Sequence, residues 1–88
     1  MIEYSKLRSL TARQIVRGLE SDGFKLVRQK GSHRHYRHAD GRRVTVSFHR
    51  SSQTFRIATL RSMLEIQARW TEADLTRLGL VRPISGGA

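Results

Sequence analysis

Phe24-Lys25-Leu26-Val27-Arg28-Gln29-Lys30-Gly31-Ser32-His33-Arg34-His35-Tyr36-Arg37-His38-Ala39-Asp40-Gly41-Arg42-Arg43-Val44-Thr45-Val46-Ser47-Phe48 is the stretch that decides the fold. It divides into three strand-like segments at 24–30, 32–38 and 42–48, with Lys30-Gly31 read as the first turn and Ala39-Asp40-Gly41 as the second. The length of the second turn sets which side chains meet water. A two-residue Asp40-Gly41 loop would put His33, His35 and Arg37 on one face with Val44, Val46 and Phe48. A three-residue loop closed by Gly41 in the left-handed region shifts the pairing by one position. Tyr36 then joins Val44 and Val46, while His33, His35 and Arg37 lie across from Ser47, Thr45 and Arg43. One slip exchanges the two faces completely. Burying imidazole and guanidinium groups is costly, so the three-residue loop is expected, and Arg34 is the residue it turns toward the covered side.

Helices flank this sheet. Thr11-Ala12-Arg13-Gln14 is a capping box, and Ala12, Ile15, Val16 and Leu19 form one apolar stripe behind it. Gly23 ends that helix, which is expected over 12–22 after a short N-terminal arm. Thr59 is expected to cap a second helix with Leu60, Met63 and Leu64 as its stripe. Thr71 and Asp74 open a third, short helix that Gly79 ends, and Ile66 and Trp70 are expected to pack beneath it. The expected architecture is α+β, in the order α-β-β-β-α. Helices cover one face of a three-stranded antiparallel sheet, the other face stays wet, and a short C-terminal helix is added. A single domain over 1–82, with a core at 11–69 and the added helix at 71–79, would leave 83–88 as a flexible tail.

Composition narrows the partners. Fourteen Arg and three Lys against seven acidic residues give a formal charge of +10 in 88 residues. Guanidinium forks grip phosphate oxygens in pairs and stack on bases, so a polyanion such as nucleic acid is the expected partner. The absence of cysteine excludes a disulfide framework and a Cys-based zinc site. No apolar run approaches the ~20 residues that span a bilayer, and the N-terminus lacks an export-signal layout. A soluble cytoplasmic chain with no membrane contact is expected.

The polar stretch at 28–38 carries three of the four histidines. Two imidazoles, His33 and His35, on one strand face make a weak metal claim without a third ligand. No placed acid orients a histidine toward a serine, so a hydrolytic triad has no support either. RNA cleavage asks for less, because the 2′-hydroxyl beside the scissile phosphate is a nucleophile already in place. An imidazole, with its ordinary pKa of ~6.5, can move the proton, and cationic groups can stabilise the charge that builds on phosphorus. His33 suits that role among Lys30, His35, Arg37 and Arg43.

Asp22-Gly23-Phe24, Leu26-Val27-Arg28-Gln29-Lys30-Gly31-Ser32-His33 and His38-Ala39-Asp40-Gly41-Arg42-Arg43-Val44-Thr45-Val46 together resemble the HicA toxins. These are small bacterial mRNA interferases with a double-stranded-RNA-binding-like fold, paired with HicB antitoxins. Thr59-Leu60-Arg61-Ser62-Met63-Leu64 matches their second helix, and the resemblance extends over about Thr11 to Leu78. It implies that His33, in the Gly-Ser-His step, is catalytic, and that no metal or organic cofactor takes part. Arg28, Lys30, Gly31, Ser32, Arg37 and Arg43 are the RNA-contact candidates, and His35 is left outside the catalytic set. The implied function is a toxin endoribonuclease that cuts mRNA without metal and is inhibited by a cognate HicB-like antitoxin. A noncatalytic basic RNA- or DNA-binding module is the alternative. Ala39 stands where proline is common in these toxins, Ala58 where glycine is usual, and His35 where an uncharged residue is frequent.

Overall fold

The computed structural model describes residues 2–81, so the tail expected at 83–88 lies outside the described residues. Helix α1 (Ala12–Ser21) is followed by strands β1 (Lys25–Lys30), β2 (His33–Arg37) and β3 (Arg43–Ser47). Helix α2 (Ile57–Arg61) continues without a break into a π-helical segment, Ser62–Gln67, and α3 (Glu72–Arg77) comes last. The strands form one antiparallel sheet in the order β1-β2-β3. This is the α-β-β-β-α arrangement of a double-stranded-RNA-binding-like fold.

The hairpin loop resolves the register as expected. His38 N–H donates to Arg42 O at 2.9 Å, and Gly41 N–H donates to His38 O at 3.0 Å, enclosing Ala39-Asp40-Gly41. Gly41 takes φ +99°, where a side chain would be strained. Asp40 locks the loop by accepting from Arg42 N–H at 3.0 Å and from Arg42 Nε at 2.8 Å. The Arg42 backbone bond and guanidinium hold the Asp40 carboxyl below the usual carboxylate range. Tyr36, Val44 and Val46 are buried on the covered face. The first turn is Gly31-Ser32 rather than Lys30-Gly31, because Lys30 pairs with His33.

Apolar side chains from every element except β1 fill the space between helices and sheet, with Phe24, Ile15, Leu19, Leu60, Met63 and Leu64 fully enclosed. β1 overhangs this core, leaving Leu26 47% and Val27 61% exposed. Arg34 points to the covered side, as the register requires, and lays its guanidinium 4.2 Å from the Phe48 ring centre. Its Nε is buried without a hydrogen-bond partner.

Three local expectations need correction or extension. Thr59 does not cap α2; the helix starts at Ile57 with Arg56 at the cap. Phe55 and Leu60 then occupy the two staple positions around that cap and both pack on the core, which outweighs the capping preference of a threonine. Ile66 is 66% exposed rather than tucked beneath α3, whereas Trp70 is buried as expected. The N-terminal arm forms a 3-10 turn, Tyr4–Lys6, and buries Ile2, Tyr4, Leu7 and Leu10. Tyr4 donates to Glu65 Oε1 at 2.9 Å, and burial followed by that carboxylate pushes its hydroxyl up to about 12.

Asp22, just past α1, ties the elements together. Its carboxylate, 8% exposed, accepts from Trp70 Nε1 at 2.9 Å and Arg77 at 2.7 Å, and lies 3.1 Å from the Arg42 guanidinium. Its backbone carbonyl lies 2.7 Å from His38 Nε2. Burial would raise this carboxyl, but the bonds from Trp70 and Arg77 and the charge of Arg42 outweigh burial and lower its pKa.

Two stability measurements check this account. A carboxylate with a lowered folded pKa adds stability that is complete above the ordinary value of 3.8 and drains as pH falls below it. Asp22→Asn is therefore expected to cost about 2 kcal/mol at neutral pH in urea unfolding, a gap that closes toward acid pH. Arg69 ends the second helix in the left-handed region at φ +57°, with Trp70 N–H reaching back to Leu64 O at 2.8 Å. Glycine is the natural residue there, so Arg69→Gly is expected to stabilise the fold by about 1 kcal/mol, raising Tm by roughly 5 °C.

Candidate functional site

Strand pairing sets the open-face side chains in three rows across the sheet. Lys25, Arg37 and Arg43 form the first, Arg28, His35 and Thr45 the second, and Lys30, His33 and Ser47 the third. Arg28 and Lys30 owe their places to a bulge in β1 between Leu26 and Arg28. An unbroken register from Leu26–Tyr36 would set Val27 against His35 and turn Arg28 toward the covered side. The extra residue moves both cations onto the face that carries the histidines.

The rows are also close. Hydrogen bonds join His38 to Arg42 at one end of the β2–β3 ladder and Ser32 to Phe48 at the other. In an antiparallel alternation the pairs His33–Ser47, His35–Thr45 and Arg37–Arg43 are then the non-hydrogen-bonded ones, whose Cα atoms approach to about 4.5 Å. Like charges directly opposite destabilise a sheet. Even so, no ion pair among the described residues involves Lys25, Arg28, Lys30, Arg37 or Arg43. Asp22, Asp40 and Asp74 instead pair with Arg42 and Arg77, and Glu65 accepts from Tyr4. The open face is left cationic.

His33 is the first residue of β2 and is exposed. Among the described residues no hydrogen bond fixes its ring. The turn before it is built on Gly31 at φ +58°, the torsion that the first position of a two-residue primed turn demands. A Cβ there would meet nothing within 4 Å, so backbone geometry rather than crowding calls for glycine. Ser32 and Ser47 hydroxyls share a hydrogen bond at 3.3 Å and close that end of the sheet.

His35 is held differently. Its Nδ1 lies 3.0 Å from Thr45 Oγ1. Thr45 N–H, on the outer edge of β3, donates to Gln67 Oε1 at 2.8 Å, and Gln67 Nε2 donates to Ser62 Oγ at 2.9 Å. Gln67 is the last residue of the π-helical segment, so the widened turn delivers a side chain that occupies an otherwise open strand edge. A hollow of about 440 Å³ opens beside His35, walled by Val27, Arg28, Arg37, Arg43 and Thr45. The other two histidines lie apart. His38 stands edge-on to Phe24 at 5.1 Å, and His49 is in the exposed connection after β3.

The site residues read from sequence therefore converge: Arg28, Lys30, His33, Arg37 and Arg43 share one face, with Gly31 and Ser32 in the turn at its end. Lys25 and Gln67 were not anticipated, and Thr45, expected across from His35, was not read as a site residue. Alternation back from Arg28 misses Lys25 because the bulge breaks the count, and nothing in the sequence marks Gln67 as reaching the sheet. Among the described residues His, Asp and Glu nowhere gather in a group of three able to hold a metal ion. No helix among them is long and apolar enough to cross a membrane.

No curated protein matches the chain. The family model described as the HicA toxin of bacterial toxin–antitoxin systems matches residues 12–69, from the start of α1 to the end of the second helix. That match takes in the whole sheet and both helices that cover it, and the chain belongs to the HicA toxin family.

Proposed function

We propose that this HicA-family toxin is an endoribonuclease that cuts mRNA without a metal ion, with His33 as the proton-transferring group. The observation that carries the reading is the unneutralised cationic sheet face on which His33 stands free. Cross-strand rows such as Lys25–Arg37–Arg43 cost stability in the isolated protein, and a phosphate backbone laid across them removes that cost. Family membership supports the same reading, since HicA proteins are generally mRNA interferases.

The chemistry follows from what RNA brings. The 2′-hydroxyl attacks the adjacent phosphorus, the bond to the 5′-oxygen breaks, and the products are a 2′,3′-cyclic phosphate and a 5′-hydroxyl end. His33 moves a proton in this step, and an exposed imidazole with no hydrogen-bond partner among the described residues is free to meet the ribose. Arg28, Lys30, Arg37 and Arg43 hold the phosphate and stabilise its added charge. Gly31 and Ser32 bring the turn backbone close to the RNA. Residues 11–69 are the working core, with 71–79 an addition to it. A HicB-like antitoxin with an acidic surface complements the charge of +10 and inhibits by covering His33.

Incubation of the full chain with an end-labelled transcript in chelator tests the reading. Wild-type protein is expected to cut and to leave cyclic phosphate ends. His33→Ala is expected to cut at least about 100-fold more slowly, with RNA affinity within about 3-fold, because affinity rests on the cations. Binding without cutting by the wild type would favour a noncatalytic module, and undiminished cutting by His33→Ala would remove His33 from its role. Arg28→Ala is expected to weaken binding and lower the log–log salt slope by about 0.7, the share of one single-strand phosphate contact, in a fluorescence-anisotropy titration.

A further inference from the structure

We propose that His35 is a second catalytic residue of the RNA-cleavage reaction, the general acid that protonates the departing 5′-oxygen while His33 accepts the 2′-hydroxyl proton. The inference rests on the cleavage reading above and adds a group to it. Thr45 Oγ1, 3.0 Å away, engages His35 Nδ1 and leaves Nε2 as the nitrogen available to a ligand. That hydroxyl is itself steadied, since the Thr45 backbone is tied through Gln67 to the π-helical segment. An acid must be held in one orientation to deliver a proton, and among the described residues His35, but not His33, has such an anchor.

The surroundings agree. The hollow of about 440 Å³ is lined by His35 and not by His33, and Arg28, Arg37 and Arg43 stand around it. It is a concave place on the sheet where a phosphate can be held by several guanidinium groups at once. Residues two apart on a strand are about 6.7 Å apart on the same face, a spacing that admits a phosphodiester between the two rings. The proton balance is complete. His33 takes the proton from the 2′-oxygen as the bond from that oxygen to phosphorus forms. The bond from phosphorus to the 5′-oxygen breaks, and His35 Nε2 gives that oxygen its proton. Solvent then returns the two imidazoles to their starting states.

A sulfur leaving group tests the assignment, because a 5′-thiolate departs without needing a proton. A linkage that the wild-type chain cuts in a mixed-sequence transcript is synthesised with the 5′-bridging oxygen and with sulfur in its place. His35→Gln is expected to cut the oxygen linkage at least about 100-fold more slowly than wild type and the sulfur linkage within about 3-fold of it. Thr45→Val, which removes the anchoring hydroxyl and keeps the side-chain shape, is expected to lose about 10-fold on oxygen and to recover on sulfur. His33→Ala is expected to be slow on both. Equal losses on both linkages for His35→Gln, or oxygen cleavage within 3-fold of wild type, would overturn the acid role while leaving His33 and the cleavage reading intact. Failure of the wild type to cut any linkage would overturn the cleavage reading, and this proposal with it.

Discussion

Strand register is the constraint on which this molecule depends. A side chain on a strand faces the core or water according to the parity of its position, and two one-residue decisions fix that parity here. The Ala39-Asp40-Gly41 loop sets β3 against β2, so that Tyr36, Val44 and Val46 go inward and His33, His35 and Arg37 go outward. The bulge at Val27 resets β1, so that Arg28 and Lys30 join them. Remove either extra residue and the basic face breaks up, with guanidinium groups turned toward the covered side. The same two insertions that give a dry core also give a charged open face, so fold and site cannot be specified separately.

A face bearing five cations with no ion pair among the described residues repels itself, while Asp22, Asp40 and Asp74 are spent elsewhere. Asp22 gathers Trp70, Arg42 and Arg77, joining the end of α1 to the hairpin loop and to α3. Asp40 and Asp74 hold the same two arginines from the other side. Arginine thus does two jobs that depend on its surroundings. Arg42 and Arg77 are structural because acids surround them, whereas Arg28, Arg37 and Arg43 form no ion pair among the described residues. Moving one carboxylate to the sheet would steady the hairpins and neutralise part of the cationic face.

Most of this was legible in the sequence where the physics is local. The capping boxes at Thr11 and Thr71 form as their spacing indicates, since each is settled within four residues. The Gly41 loop and the His33–Ser47, His35–Thr45 pairing follow from the cost of burying charge. What stayed hidden depends on distant neighbours. The arm at 2–10 buries four apolar residues whose spacing fits neither strand nor helix, and Tyr4 ties it to Glu65 of the second helix, 61 positions away. Thr59 offered a cap that Phe55 packing overrode, and Ile66 looked like core because the π-helical turn that rotates it outward leaves no periodic mark. Lys25 was lost to the bulge, and Gln67 to a contact 22 positions away along the chain.

The π-helical segment explains why the two open-face histidines differ. An α-helix running on from Ile57 would carry each side chain about 100° further round per residue, whereas the widened turn closes Ala68 N–H onto Met63 O and shifts everything after it. That shift lets Gln67 meet the outer edge of β3 while Leu64 and Ala68 remain buried. The edge residue it meets is Thr45, whose hydroxyl reaches across the open face to His35. A helix irregularity on the covered side therefore steadies a ring on the wet side through a single strand residue. His33, two positions back at the turn, receives no such support. One ring is fixed beside the hollow of about 440 Å³ and the other stands at the turn, outside its walls, an asymmetry that suits the two unlike proton transfers proposed for these histidines.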